Sequence, residues 1–354
     1  MYINKKVKFN YESNYLDSIY VFEDGDFILF GATDNSFENE SKNSERKSTL
    51  YDGKTLKPKL ILKVSSLCSF FNLSNNEFAL CTNFSSFTLF KFNSDRTSFN
   101  SIQEFSEKEG GSAKALNQMP NGDICINRLY VGYNGIFIYR KKESNPQYAP
   151  YGENFLYHLE DVDDLISLND KEVLGYKVYK GIESLVLKVF NIDEYKVIRK
   201  NEIKFQEENS QKRLYISFPF YKVNKNKLIT ASTKCLYIFG IDTLELETTI
   251  LLEKFIEQIL IRPKNNIFLL CKSRQEKCYL EVRNSESVCF YHPQYIINLK
   301  IDFEINELIE SKEEDISKHC GKNKELFHIY NDINNGIITL TDKSKVIFYE
   351  DCDD

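Results

Sequence analysis

One short unit recurs along the chain and limits what the chain can fold into. An apolar run breaks at a polar turn and resumes seven times: GDFILF from Gly25, NEFALC from Asn76, GDICIN from Gly122, KEVLGY from Lys171, NKLITA from Asn226, NNIFLL from Asn265 and NGIITL from Asn335. The first apolar residues of these runs are Phe27, Phe78, Ile124, Val173, Leu228, Ile267 and Ile337, separated by 51, 46, 49, 55, 39 and 70 residues. Five of the six intervals lie near a period of about 40–50 residues, long enough for one four-stranded unit per repeat.

The clearest copy is Asn117–Arg140. Asn121-Gly122 precedes Asp123-Ile124-Cys125-Ile126-Asn127, which alternates in polarity, and a second turn is expected at Asn134-Gly135. Asn-Gly between β-rich runs signals a hairpin whose two central residues both take positive φ. After each resuming strand a further strand follows: STLYDG (48–53), SFTLFKF (86–92), GIFIYR (135–140), SLVLKVF (184–190), CLYIFG (235–240), CYLEVR (278–283) and KVIFYE (345–350). A fourth run is visible in PKLILK (58–63), EYKVIRK (194–200) and LELETTILL (244–252). The composition agrees: 27 Phe and 22 Tyr fit a pleated, half-buried surface, and 42% apolar residues suffice for a core.

The last copy lacks its fourth strand, and the amino-terminal stretch Tyr2–Phe9 supplies a spare one. A strand over 2–10 added to the last unit would remove exposed edges and close a ring. This pattern resembles the WD40-type β-propeller family over essentially the whole chain, 1–354. The Gly-His and Trp-Asp pairs of that family are absent, since there is no Trp and the units close on Tyr51-Asp52, Phe190-Asn191 or Phe348-Tyr349. The resemblance implies a rigid scaffold for protein complexes without chemistry of its own. The fold expected is one all-β domain, a seven-bladed β-propeller of four-stranded antiparallel blades; six blades is the alternative count.

Three segments depart from the repeat. Asp34–Lys47 is rich in Ser, Asn and Glu and reads as a flexible loop; Lys141–Asn154 reads as a longer, ordered connection. In 302–323, Ile305, Leu308, Ile309 and Ile316 recur at helical spacing among acidic residues, which predicts a short amphipathic helix, either docking a partner or packing on its own blade.

The catalytic inventory is thin. No nucleophile elbow, H-E-x-x-H or Walker loop is present. Gly110-Gly111-Ser112 lacks the Lys that a phosphate cradle needs, and His319-Cys320 with Cys271 and Cys278 departs from zinc-finger spacing. Glu160-Asp161, Asp163-Asp164 and the tail Glu350–Asp354 match no calcium loop and read as solvated. No metal or other cofactor is therefore implied. Nine scattered cysteines read as small buried hydrophobes of a reducing compartment. The net charge of −6, with 46 basic and 52 acidic residues mixed, gives no basic stripe for nucleic acid.

The amino-terminal residues have no apolar stretch behind their lysines, and no run is long enough to span a bilayer, so a cytoplasmic or nuclear location is expected. The leading reading is a non-catalytic scaffold binding a protein or peptide on one face. Tyr and Arg are enriched at binding hot spots, which marks Arg128, Tyr130 and Tyr133, Lys177 and Tyr179, and Arg274 as the partner-binding candidates. The alternative is a propeller hydrolase or lyase acting on a sugar or peptide, recognisable by carboxylates or His converging on the channel mouth. A phosphoinositide-binding propeller would carry paired arginines, and the chain has no Arg-Arg.

Overall fold

The computed structural model describes residues 3–12, 18–22, 24–32, 46–64, 69–82, 86–105, 112–130, 133–142, 145–148, 157–179, 184–204, 216, 218–262, 266–272, 294–315, 326–331, 337–341 and 345–351. The described residues are all-β, arranged in four-stranded antiparallel sheets with one two-stranded ribbon. Within each of the first six sheets the strands follow one another in chain order. The fourth sheet is representative: Asp164–Ser167, Glu172–Tyr179, Ser184–Asn191 and Val197–Lys204. The sheet that holds Leu326–Asn331, Ile337–Thr341 and Lys345–Asp351 takes Ile3–Glu12 as its outer strand, paired from Ile3 opposite Asp351 to Glu12 opposite Lys345.

The core is not one mass but a series of apolar layers, each shared by two consecutive sheets. Ile124 and Ile126 pack towards Phe87 and Leu89 of the second sheet, while Cys125 between them packs towards Val173 and Phe190 of the fourth. The apparent alternation of Asp123–Asn127 is therefore not an inside-outside pattern: Ile124, Cys125 and Ile126 are all buried, because both faces of a middle strand meet a neighbouring sheet. Outer strands face water on one side. Leu246–Leu251 accordingly alternates half-buried and exposed along its length.

The second strands begin where the repeat places them, from Phe27–Ala32 to Ile337–Thr341. Turn chemistry varies between copies. At Asn121-Gly122 only Gly122 is left-handed, with φ 86°; its N–H bonds to the Met119 carbonyl, the arrangement of a type I turn followed by a bulge. Gly25, with φ 93°, bonds to Phe22 in the same way. Asn75 and Asn76 are both left-handed, at 61° and 60°, in a turn closed by the Glu77 N–H donating to the Ser74 carbonyl, and so show the pair of positive φ angles expected at Asn121-Gly122.

Three expectations need correction. Asn134-Gly135 is not a turn: both residues lie inside the strand Tyr133–Tyr139, and Gly135 stands opposite Arg128. The glycine is there because a Cβ would sit 2.4 Å from the Leu159 carbonyl oxygen and 2.8 Å from the His158 ring. There is no helix within the described part of 302–323. Residues Phe303–Asn306 make a turn and Glu307–Asp315 is the outer strand of the sixth sheet. The helical spacing misled because Ile305, Leu308 and Ile309 are exposed (63%, 40% and 58%), so they mark no buried stripe. Ile316 lies outside the described residues, as does 316–323 as a whole.

The third strand of that sheet is Gln294–Asp302 rather than 278–283, which lies outside the described residues. The long sixth interval therefore holds 21 residues, 273–293, between the second and third strands. Of the polar segment Asp34–Lys47, only Arg46 and Lys47 fall within the described residues, in the strand Arg46–Tyr51. The connection after Arg140 contains the ribbon of Lys141–Lys142 and Asn145–Tyr148.

Candidate functional site at the ends of the sheets

Antiparallel strands in chain order give each sheet two unlike ends. One carries the turns joining first to second and third to fourth strands; the other carries the second-to-third connections and the passages between sheets.

The turn end is tied together by a recurring left-handed residue. Leu56, Arg96, Tyr195, Leu244 and Asn306 occupy the third-to-fourth turns of the first, second, fourth, fifth and sixth sheets, with φ between 50° and 58°. Holding a non-glycine residue there costs about 1–2 kcal/mol, offset by local bonds. The N–H groups of Leu56, Tyr195 and Leu244 donate to the carbonyls of Asp52, Asn191 and Gly240. In the first sheet Asp52 also takes the Thr55 N–H at 2.7 Å, the Thr55 hydroxyl at 2.9 Å and the Lys54 N–H, which hold its carboxyl below the usual range.

Two of these turn residues, Arg96 and Tyr195, reach back to the preceding sheet, to the polar residue that opens its second strand. Arg96 lies 4.2 Å over the Phe22 ring and donates to Asp24 at 2.5 Å and Asp26 at 3.1 Å. Tyr195 donates its hydroxyl to Asp123, which is 1% exposed and also receives Arg140 through Nε and Nη2. Arg199 joins Glu172 at 2.9 Å to the carbonyls of Ile241 and Asp242 in the next sheet. In the fifth sheet the signs are reversed: Lys227 opens the strand, pairs with Glu247, and Glu247 accepts from Asn306 at 2.7 Å. Asp26, Asp123, Glu172 and Lys227 occupy one repeat position, yet their partners were not anticipated from the sequence.

A cavity of about 830 Å³ opens at this end among the inner strands of the first four sheets. Phe70, Phe71, Asn72, Asn76, Asn117 and Gln118 are among its walls, and among the described residues its lining contains no carboxylate, His or Cys. Gln118 closes part of it by accepting the Ser74 N–H at 2.5 Å.

The opposite end carries the partner-binding candidates. Lys177 and Tyr179 lie two residues apart near the end of Glu172–Tyr179 and so project to the same side. Lys177 pairs with Asp163 at 2.7 Å, and the other oxygen of Asp163 accepts the Val178 N–H at 3.0 Å. Partial shielding, then the charge of Asp161, raises the Tyr179 hydroxyl above its ordinary range. Asp163 and Asp164 are thus not simply solvated. Asp164 accepts from Leu165 N–H and Asn117, and burial followed by the neighbouring Asp163 charge pushes its carboxyl up. Arg128, Tyr130 and Tyr133 fall at this same end by backbone register, with Tyr130 opposite Tyr133. Arg274 lies outside the described residues, as do Gly110, Gly111, His319 and Cys320.

Little in the described residues can do covalent chemistry. Burial pushes the Cys271 thiol up to about 12 and raises that of Cys125 further, so neither supplies thiolate at neutral pH. His158 stacks on Phe137 with ring centroids 4.6 Å apart. Among the described residues no group of three His, Cys, Asp or Glu side chains is placed to hold a metal, and no helix is long and apolar enough to cross a membrane.

No protein-family model matches the sequence, and no curated protein matches it. Solved structures do. The chain is similar to a chain of the mitotic checkpoint complex, with a TM-score of 0.61 at 6% identity, covering 99% of this chain and 96% of that one. It is also similar to the WD40 β-propeller domain of Doa1 (0.53, 9%, 98% and 97%) and to BBS1N in its complex with ARL6DN (0.54, 9%, 97% and 95%). With the repeated four-stranded sheets, these likenesses define a WD40-like β-propeller fold. The sequence resemblance was therefore sound at the level of fold.

Proposed function

We propose that the chain is a non-catalytic interaction scaffold, a closed seven-bladed propeller that binds a protein or peptide partner at the end bearing Lys177 and Tyr179. Closure is supported by Ile3–Glu12 as the outer strand beside Lys345–Asp351, and by the approach of Leu326–Asn331 to both Ser18–Val21 and Phe255–Arg262. The partner reading is supported by similar folds occurring in a checkpoint complex and in a BBS1N–ARL6DN complex.

The observation that carries the choice of face is the fixing of Lys177 and Val178 by one carboxylate, Asp163. Tyr179 then extends from a backbone that loses little freedom on binding, the arrangement that turns a Tyr into an anchor. Arg128, Tyr130, Tyr133 and Arg274 extend the same proposed surface. The test is affinity capture from the native extract, followed by reconstitution of the captured partner with purified chain. Tyr179→Ala with Tyr130→Ala and Tyr133→Ala should weaken the dissociation constant about tenfold or more, with an unchanged melting curve. Equal affinity in that variant would place the partner elsewhere.

A further inference from the structure

We propose that the cavity at the turn end binds a neutral sugar. Its volume of about 830 Å³ falls in the range of about 300–1,000 Å³ usual for small-ligand sites. The one charged side chain in its lining among the described residues, Arg96, is already matched by Asp24 and Asp26. Among the described lining residues an anionic ligand would meet no unpaired cation, and a cationic one would meet no carboxylate. The ligand that fits is uncharged.

The polar lining consists mainly of amides and hydroxyls. Asn72 and Asn76 are exposed, and their side chains make no hydrogen bond among the described residues. The Nε–H of Arg96, buried in the wall, also has no acceptor among them. A carboxamide offers a donor and an acceptor in one plane, which matches the paired donor and acceptor of neighbouring sugar hydroxyls. Phe70 and Phe71 supply apolar wall beside those amides, for the C–H surface of a pyranose.

A peptide would satisfy its backbone by adding to a strand edge. Here the inner edges belong to four different sheets, and three of the strands, Ser18–Val21, Ser69–Asn72 and Asp164–Ser167, have only four residues each. The fourth, Ser112–Gln118, is longer but is broken by a bulge between Ala113 and Ala115, so no long straight edge is offered among the described residues. The cavity lies at the opposite end from Lys177 and Tyr179, so the proposal is independent of the partner reading. The sugar can be a free oligosaccharide or a glycan carried on a protein.

The test is saturation-transfer NMR on the full chain with maltose, cellobiose, mannobiose and diacetylchitobiose, and with a glucuronate disaccharide as charged comparator. A high-mannose glycopeptide beside its bare peptide distinguishes a carried glycan from a free sugar. The substitutions are Asn72→Ala with Asn76→Gly, the glycine preserving the left-handed turn. Transfer to at least one neutral sugar is expected, weakened about fivefold or more in the double variant by the loss of two hydrogen-bonding amides and retained in Tyr179→Ala. If the double variant melts early, Asn72→Ser alone carries the comparison. No transfer to any neutral sugar, equal transfer in the variant, stronger transfer to the glucuronate, or equal binding of the bare peptide would each overturn the proposal.

Discussion

The hydroxyl of Tyr195 donates to the carboxylate of Asp123 across 3.0 Å, joining the third-to-fourth turn of one sheet to the first-to-second turn of the sheet before it. Both residues are buried, and Arg140 completes the charge balance. Apolar layers hold the sheets face to face but do not by themselves fix how far one slides along another. A directional bond between defined turn residues does. Tyr195→Phe should cost about 1.5–3 kcal/mol, the range for a hydrogen bond to a charged group, and Asp123→Ala about 2–4 kcal/mol because it takes the acceptor from the buried Tyr195 hydroxyl and from Arg140 together. Urea unfolding measures both, with the exposed Asp24→Ala as a comparator that should cost less than about 1 kcal/mol.

The reversed pair in the fifth sheet gives a cleaner experiment. Lys227→Glu and Glu247→Lys should each destabilise by about 1–2 kcal/mol. The double exchange should recover most of the loss and so show a coupling energy in a double-mutant cycle. Additive losses would mean that the two side chains act separately.

Gly135 tests close packing rather than charge. Alanine there drives a methyl against the Leu159 carbonyl, which is backbone and yields little. A loss of about 1–3 kcal/mol is expected, with no change in the spectroscopic strand content.

How much of this was legible beforehand follows from what each position must satisfy. Middle strands are buried on both faces, so their apolar runs stand out, and all seven second strands start where Gly, Asn or Lys breaks the pattern. Outer strands need little apolar content, which is why Glu307–Asp315 passed for a helix. The left-handed residues are Leu, Arg, Tyr and Asn, letters that carry little or no turn signal at four of five sites. Acids such as Asp26 and Asp123 were visible at one repeat position. Their partners Arg96 and Tyr195 lie 70 and 72 residues downstream, where nothing local pairs them. The ends of the sheets, where binding is proposed, are built from such connections.

Asp164 gives a pH dependence of definite sign. Its carboxyl is raised in the folded protein by burial and by Asp163, so ionisation opposes folding. That penalty is complete above the folded pKa and vanishes below the unfolded value of about 4. Asp164→Asn keeps an oxygen for the Leu165 N–H and Asn117. The variant should therefore melt higher than the parent near neutral pH, and the gap should close on acidification. A gap that widens on acidification would contradict the assignment.

The proposed closure of the ring is tested most directly by removing residues 1–12 and following thermal unfolding and gel-filtration elution. If Ile3–Glu12 completes the last sheet, the truncated chain exposes the edge of Lys345–Asp351. It should then melt well below the parent and elute as aggregate. An unchanged melting curve with monodisperse elution would contradict closure by the amino-terminal strand.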